Sequence, residues 1–147
     1  YIEASGKFGV GSDSNVRISL TEELRLLEYS QRLKHQSRAL LATAQQSTGR
    51  FLLEQASAGG AQASGRGTGV IAPGAVADLL AVDTRHADFA GRDADALLDS
   101  FIFCAGDSAV SDVWAAGRHL VTGGRHIRRD DISARYASTM RNLQAEL

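Results

Sequence analysis

One cysteine, one proline and one methionine are all that this 147-residue chain contains of each. Cys104 alone cannot close an internal disulfide or supply a thiolate metal cluster, which suits a reducing compartment and predicts a cytoplasmic protein. Pro73 alone excludes a proline-rich linker. No apolar run approaches the roughly 18 residues that a membrane-spanning helix needs, which argues against a membrane protein. A bias of charge is missing too. Sixteen Lys+Arg against seventeen Asp+Glu leave a net charge of −1, too balanced for a basic nucleic-acid binder or a polyanionic tail. The only methionine is Met140 and the first residue is Tyr1. The expectation is a sequence that begins inside a longer translation product, so a catalytic set that looks incomplete here is completed elsewhere.

What remains is the composition of a globular chain, 44% hydrophobic and 22% charged. It is long enough for one core that buries roughly two-thirds of the unfolded surface. Fifteen glycines exceed the ten or so expected at about 7% usage, which points to tight turns. Lys7 to Val10 is a short strand candidate that runs into the turn-forming Gly11-Ser12-Asp13-Ser14-Asn15. Ser19-Leu20-Thr21-Glu22 fits a capping box, so a helix starts there. Leu20, Leu24, Leu27, Leu33, Leu40 and Leu41 form its apolar stripe, with Arg25, Glu28, Arg32 and Lys34 assigned to a solvated or partner-facing side. The stripe slips register between Leu27 and Leu33, which predicts a kink or break. Ser47 or Thr48 caps a second helix through Phe51, Leu52, Leu53 and Ala56, and Gly59-Gly60 is expected to interrupt it.

Val70-Ile71-Ala72 reads as a short strand entering a Pro73-Gly74 turn, and Ala77 to Val82 as another strand. Leu97 to Cys104 fits helix or strand equally. Val110 to Trp114 and His119 to Thr122 flank Ala115 to Arg118 as a β-hairpin closed by Gly123-Gly124. Ile132, Tyr136, Met140, Leu143 and Leu147 follow the repeat of a one-faced helix, capped by Asp130 or Asp131.

Chemistry is sparse. His35, His86, His119 and His126 make neither a His-x-His nor a His-x3-His pair, so local zinc chelation is unsupported. Ser12 and Ser14 lack the Gly-x-Ser-x-Gly elbow and a nearby histidine, and serve better as orienting hydroxyls. The glycines at 59–60 and 65–69 lack the Gly-Lys-Ser/Thr of a phosphate loop and read as turns. Arg125, His126, Arg128 and Arg129 form a basic cluster too short for nucleic acid. Asp13 is the candidate. A carboxylate just past a strand end stands where α/β barrels collect reactive groups, although taken alone an aspartate in such a run is more often a turn former.

Phe8-Gly9-Val10-Gly11-Ser12-Asp13-Ser14 resembles the last barrel strand of the amidohydrolase superfamily, whose aspartate there is a metal ligand and proton carrier. Ala58 to Arg66, Gly69 to Gly74 and Ala77 to Asp83 are similar to the stretch that leaves that barrel for a small β-sandwich. Val110 to Gly124 resembles the closing hairpin of the sandwich. Within the superfamily, Gly11 to Val16 followed by Leu20 to Tyr29 and Gln31-Arg32-Leu33 most resembles the formimidoylglutamate deiminases of histidine breakdown.

The resemblance implies an α/β fold: the C-terminal part of a (β/α)8 TIM-like barrel plus part of a β-sandwich and a terminal helix. Residues 1–64 would end the barrel, 65–125 would belong to the sandwich with an inserted segment at about 84–108, and 126–147 would be the terminal helix. It implies a zinc-dependent, alternatively iron-dependent, hydrolase that converts N-formimidoyl-L-glutamate and water to N-formyl-L-glutamate and ammonia. Asp13 would be both catalytic and a metal ligand, with the other ligands and the substrate-binding groups outside these residues. Three protein ligands are the usual minimum for catalytic zinc, so the isolated chain is expected neither to retain zinc nor to turn over substrate. Its partners would be a small-molecule substrate, the remainder of the barrel and, as one alternative for its leucine-rich helix and its terminal amphipathic helix, a second copy; nucleic acid and membrane are not among them. The competing readings are another deaminase or chlorohydrolase of guanine, cytosine or triazine type, and a non-catalytic β-rich assembly module.

Overall fold

The computed structural model describes residues 1–146 of an α/β chain. Helices α1 (Leu20–His35) and α2 (Thr48–Ser64) come first. They are followed by β1 (Leu79–Val82), α3 (Ala94–Ser100), β2 (Val110–Ala115), β3 (Arg118–Thr122), β4 (Arg125–His126) and α4 (Arg129–Ala145). The strands form one antiparallel sheet in the order β1-β2-β3-β4.

Local sequence accounts for both long helices. Ser19 is extended and its hydroxyl accepts from the Glu22 amide at 3.2 Å, which starts α1. The Glu22 carboxylate pairs with Arg17 at 2.8 Å, so only the Ser19 half of the expected capping box is seen. The helix stops at Gln36, which takes a left-handed φ of 49°, and Leu40 and Leu41 lie beyond it. The register slip after Leu27 therefore marks the approach to a helix end. Ser47 caps α2 in the same way, accepting from Arg50 N.

The core joins helices to one side of the sheet. Leu24, Leu52, Phe89, Phe101, Ile102, Ala105 and Ala109 are its buried members, with Phe8, Leu27, Leu53, Val82 and Val110 packed on them. Burial of a leucine as complete as that of Leu24 or Leu52 contributes about 2–3 kcal/mol. Residues 97–104, ambiguous in sequence, are helical: α3 passes into a π-helical turn at Phe101–Ala105 and a 3-10 turn at Gly106–Ala109. The stretch 84–108, read as an insertion, carries Phe89, Phe101, Ile102 and Ala105 of this core. It also caps α2. Asp99 accepts from Gly49 N and Asp95 from Ser47 N at 2.9 Å, which places two carboxylates on the positive end of α2.

Several expectations need correction. Lys7 to Val10 is not in the sheet, because a parallel barrel strand requires neighbours on both sides and none is formed among the described residues. Gly59-Gly60 does not interrupt α2; these residues let the Phe8-Gly9 backbone lie against the helix. A Cβ on Gly59 would collide with the Phe8 carbonyl, and one on Gly9 would lie 2.9 Å from Gly60 Cα. Val70 and Ile71 form no strand. The Pro73-Gly74 turn does form, closed by Ala75 N to Ala72 O at 3.1 Å with Gly74 at φ 87°. Glu28, assigned to a solvated or partner-facing side, is fully buried within the chain. Arg128, without a side-chain cap, stands at the N-cap of α4 where Asp130 or Asp131 was expected, since those acids pair with Arg125 and Arg128. The stripe of α4 at Ile132, Tyr136, Met140 and Leu143 is exposed, and Leu147 lies outside the described residues.

Candidate functional site

Asp13 sits in a loop held at both ends. On one side, Phe8 and Gly9 press onto the glycines of α2. On the other, α1 begins on buried Ser19 and Thr21, and the Thr21 hydroxyl donates to Asp107 at 2.9 Å. Between these anchors the loop is exposed except at Val10 and Ser12, which are half-buried. Asn15 N donates to Ser12 O at 2.7 Å and closes a turn across Asp13, whose backbone is left-handed at φ 42°. Aspartate tolerates that region better than most residues, so the turn and the candidate reactive group are the same feature. The Ser14 hydroxyl donates to Asp13 Oδ2 at 3.4 Å.

One contact ties the middle of the loop to the helix. The Asn15 side-chain amide donates to Glu23 Oε1 at 2.7 Å. Beside it runs an open groove of about 900 Å³, lined by Phe8, Val10, Gly11, Glu23, Leu27 and His35 among others. Its wall reaches to within two residues of Asp13. His35, read as a helix-surface residue, is exposed and lines this groove.

The other histidines lie elsewhere. His86 is half-buried and caps a short 3-10 turn, its Nδ1 accepting from Asp88 N at 3.4 Å. His119 stacks on Trp114 with ring centroids 4.4 Å apart and meets Asp112 at 2.8 Å across the β2–β3 pair. His126 accepts from Arg128 N at 3.1 Å.

Depressed carboxylates are found on the sheet and on α3. The Arg85 guanidinium holds the Asp83 carboxyl at a pKa of about 2. The Ala116 amide, then Arg66, lowers that of Asp78. The Ser47 amide, then Arg50, lowers that of Asp95, while Ser111 and His119 lower that of Asp112. These are structural contacts rather than parts of a reactive cluster.

A divalent metal can be tested against this donor set. Asp13 is an exposed carboxylate whose side-chain hydrogen bond among the described residues is the single long one from Ser14, which leaves oxygen lone pairs free for a hard or borderline cation. Among the described residues, no three His, Cys, Asp or Glu side chains converge. Asp13 would offer a metal one oxygen ligand, and the described residues by themselves form no complete metal site.

The sequence from Tyr1 to His119 and on through Leu120 matches the model of the amidohydrolase family, residues 1–120. The chain belongs to that family. This amidohydrolase chain is 46% identical over 127 residues to a formimidoylglutamate deiminase of Pseudomonas aeruginosa, an alignment that covers 86% of the chain and 28% of the relative. The fold matches a crystal structure of an amidohydrolase from Brucella melitensis with a TM-score of 0.87 and 41% identity, over 97% of this chain and 31% of that one. It also matches an adenosine deaminase from Xanthomonas campestris with bound zinc, at a TM-score of 0.79 and 25% identity, over 99% and 33% of the two chains. A triazine hydrolase variant gives 0.75 and 26%, over 94% and 30%. The amidohydrolase chain thus spans about a third or less of the length of these relatives. None of its described helices is long and apolar enough to cross a membrane.

Sequence reasoning singled out Asp13 as a candidate but did not pair Asn15 with Glu23. A contact between a loop and the first turn of the next helix leaves no periodic signal in the sequence.

Proposed function

We propose that this chain is the carboxyl-terminal portion of a metal-dependent deiminase that hydrolyses N-formimidoyl-L-glutamate to N-formyl-L-glutamate and ammonia. The observation that carries the reading is the 46% identity to the Pseudomonas deiminase across 127 residues, beside a family match over residues 1–120 that takes in Asp13 and its loop. In this reading residues 1–64 end a (β/α)8 barrel, 65–125 belong to a small sandwich with 84–108 inserted, and 126–147 form the terminal helix. Lys7 to Val10 become the last barrel strand only when neighbouring strands of the remaining polypeptide are present. The enzyme works in the cytoplasm.

A zinc ion, or iron in its place, supplies Lewis-acid activation of water at neutral pH when bound. Asp13 contributes one ligand oxygen. Its other task is proton transfer: it takes the two protons of the attacking water in turn, one as the C–O bond forms and one as the C–N bond breaks, and delivers both to the formimidoyl nitrogen, which leaves as neutral ammonia. Ser14 orients the carboxylate for that exchange.

Turnover of N-formimidoyl-L-glutamate by the complete polypeptide, set against guanine, cytosine, adenosine and triazine substrates, tests the substrate. Preference for adenosine or a triazine would move the assignment towards the adenosine deaminase or the triazine hydrolase among the structural neighbours, and preference for guanine or cytosine towards a nucleobase deaminase. Asp13→Asn should lower kcat by at least about a hundredfold with the far-UV circular dichroism spectrum unchanged, a loss in keeping with removal of a general acid–base. Unchanged turnover in that variant would favour a non-catalytic module. The 147-residue chain by itself should show no stoichiometric zinc by metal analysis, since it supplies a single ligand.

A further inference from the structure

The Asp13 loop touches the body of the fold at few points, and one of them is aimed at its geometry. Asn15 uses both of its polar ends. Its backbone amide closes the turn over Asp13 through Ser12 O at 2.7 Å, and its side chain reaches Glu23 at 2.7 Å. Glu23 is half-buried in the first turn of α1, four residues after the buried cap Ser19. That turn is rigid, because Ser19 and Thr21 are buried and Thr21 is bonded to Asp107. The ion pair of the same stretch, Arg17 to Glu22, has a largely exposed arginine side chain and holds the loop weakly.

We propose that Glu23 is a positioning residue: through Asn15 it fixes the left-handed turn that aims the Asp13 carboxylate. The inference rests on the reading of Asp13 as a metal ligand and proton carrier. A ligand on an exposed turn needs a second group to hold its orientation, and loss of such outer partners costs about 10–100-fold in metal affinity or activity. The acceptor need not be charged. A glutamine at 23 keeps an oxygen at the same reach, whereas alanine removes it.

The test uses the complete zinc-loaded polypeptide and reads zinc affinity by chelator competition alongside kcat and KM. Glu23→Ala and Asn15→Ala should each weaken zinc retention and lower kcat by about tenfold, with KM nearly unchanged. The double variant should be no worse than either single one, and Glu23→Gln should restore most of the loss. Glu22→Ala removes a neighbouring first-turn acid without touching Asn15 and should leave zinc affinity and kcat as they are. Equal effects of Glu22→Ala and Glu23→Ala, or additive losses in the double variant, would overturn the proposal. So would normal zinc affinity and kcat in Glu23→Ala when Asp13→Asn is impaired, and in that case the Asp13 reading survives. If Asp13→Asn itself changes neither quantity, the reading fails and the positioning role fails with it.

Discussion

Phe8 and Gly59 meet backbone to backbone, with the Phe8 carbonyl in the space a side chain on Gly59 would occupy. The segment that leads to Asp13 is therefore seated on α2 by the absence of a methyl group. Gly60, the next residue, has nothing within 4 Å of its own Cβ position.

The two glycines should respond oppositely to the same substitution. Gly59→Ala forces the chain off the helix and should cost at least about 2–3 kcal/mol, as overpacking against backbone does. Gly60→Ala fills open space in a helix interior and should gain up to about 1 kcal/mol. Urea unfolding of both variants beside the parent measures the two effects.

Glu28 is a second anchor. Its fully buried carboxylate accepts from Arg32 Nε at 2.7 Å and from the amides of Leu40 and Leu41 at 3.2 and 3.1 Å. Glu28→Ala should cost about 3 kcal/mol, because it strands an arginine and two main-chain donors. Hydrogen exchange at Leu40 and Leu41 should accelerate in that variant ahead of global unfolding.

Acid should destabilise the fold through its paired aspartates. The pKa values of Asp78, Asp83, Asp95 and Asp112 lie below the ordinary 3.8 in the folded state, that of Asp83 at about 2. The unfolded chain binds protons first as pH falls. The stabilisation is therefore complete above about pH 5 and is lost as the pH drops through 3.8 towards 2. Urea midpoints across this range should fall with pH, and more shallowly in Asp95→Asn, which lacks one of the four groups.

The β2–β3 turn carries a residue it does not favour. Ala116 and Gly117 form the two-residue connection with φ values of 50° and 76°, the left-handed pair of a type I′ turn. Only the second is a glycine. Ala116→Gly or Ala116→Asn should raise stability by about 1 kcal/mol, read as a shift in the thermal midpoint. The Ala116 amide bond to Asp78 at 2.7 Å is a backbone contact that either variant retains.

What this sequence determined by itself is local. Ser19 and Ser47 cap helices because a hydroxyl three residues before an amide needs no distant partner, and Pro73-Gly74 turns because its φ values are set within the turn. The hairpin from Val110 to Thr122 follows from alternation and a two-residue connection. The turn at Asp13 was legible in the same way, through the short run of turn-forming residues around it.

Tertiary structure decided the rest. Glu28 reads as a surface acid until Leu40 and Leu41 fold back onto it, and Gly59-Gly60 reads as a helix break until Phe8 crosses it. Residues 97–104 became helical where they meet α1 and α2. Lys7 to Val10 did not become a strand, because ladder hydrogen bonds need a neighbouring strand that a run of apolar residues cannot supply. The pairing of Asn15 with Glu23 is of this kind too. Burial and partnership are properties of residues far apart in the chain, and no local pattern encodes them.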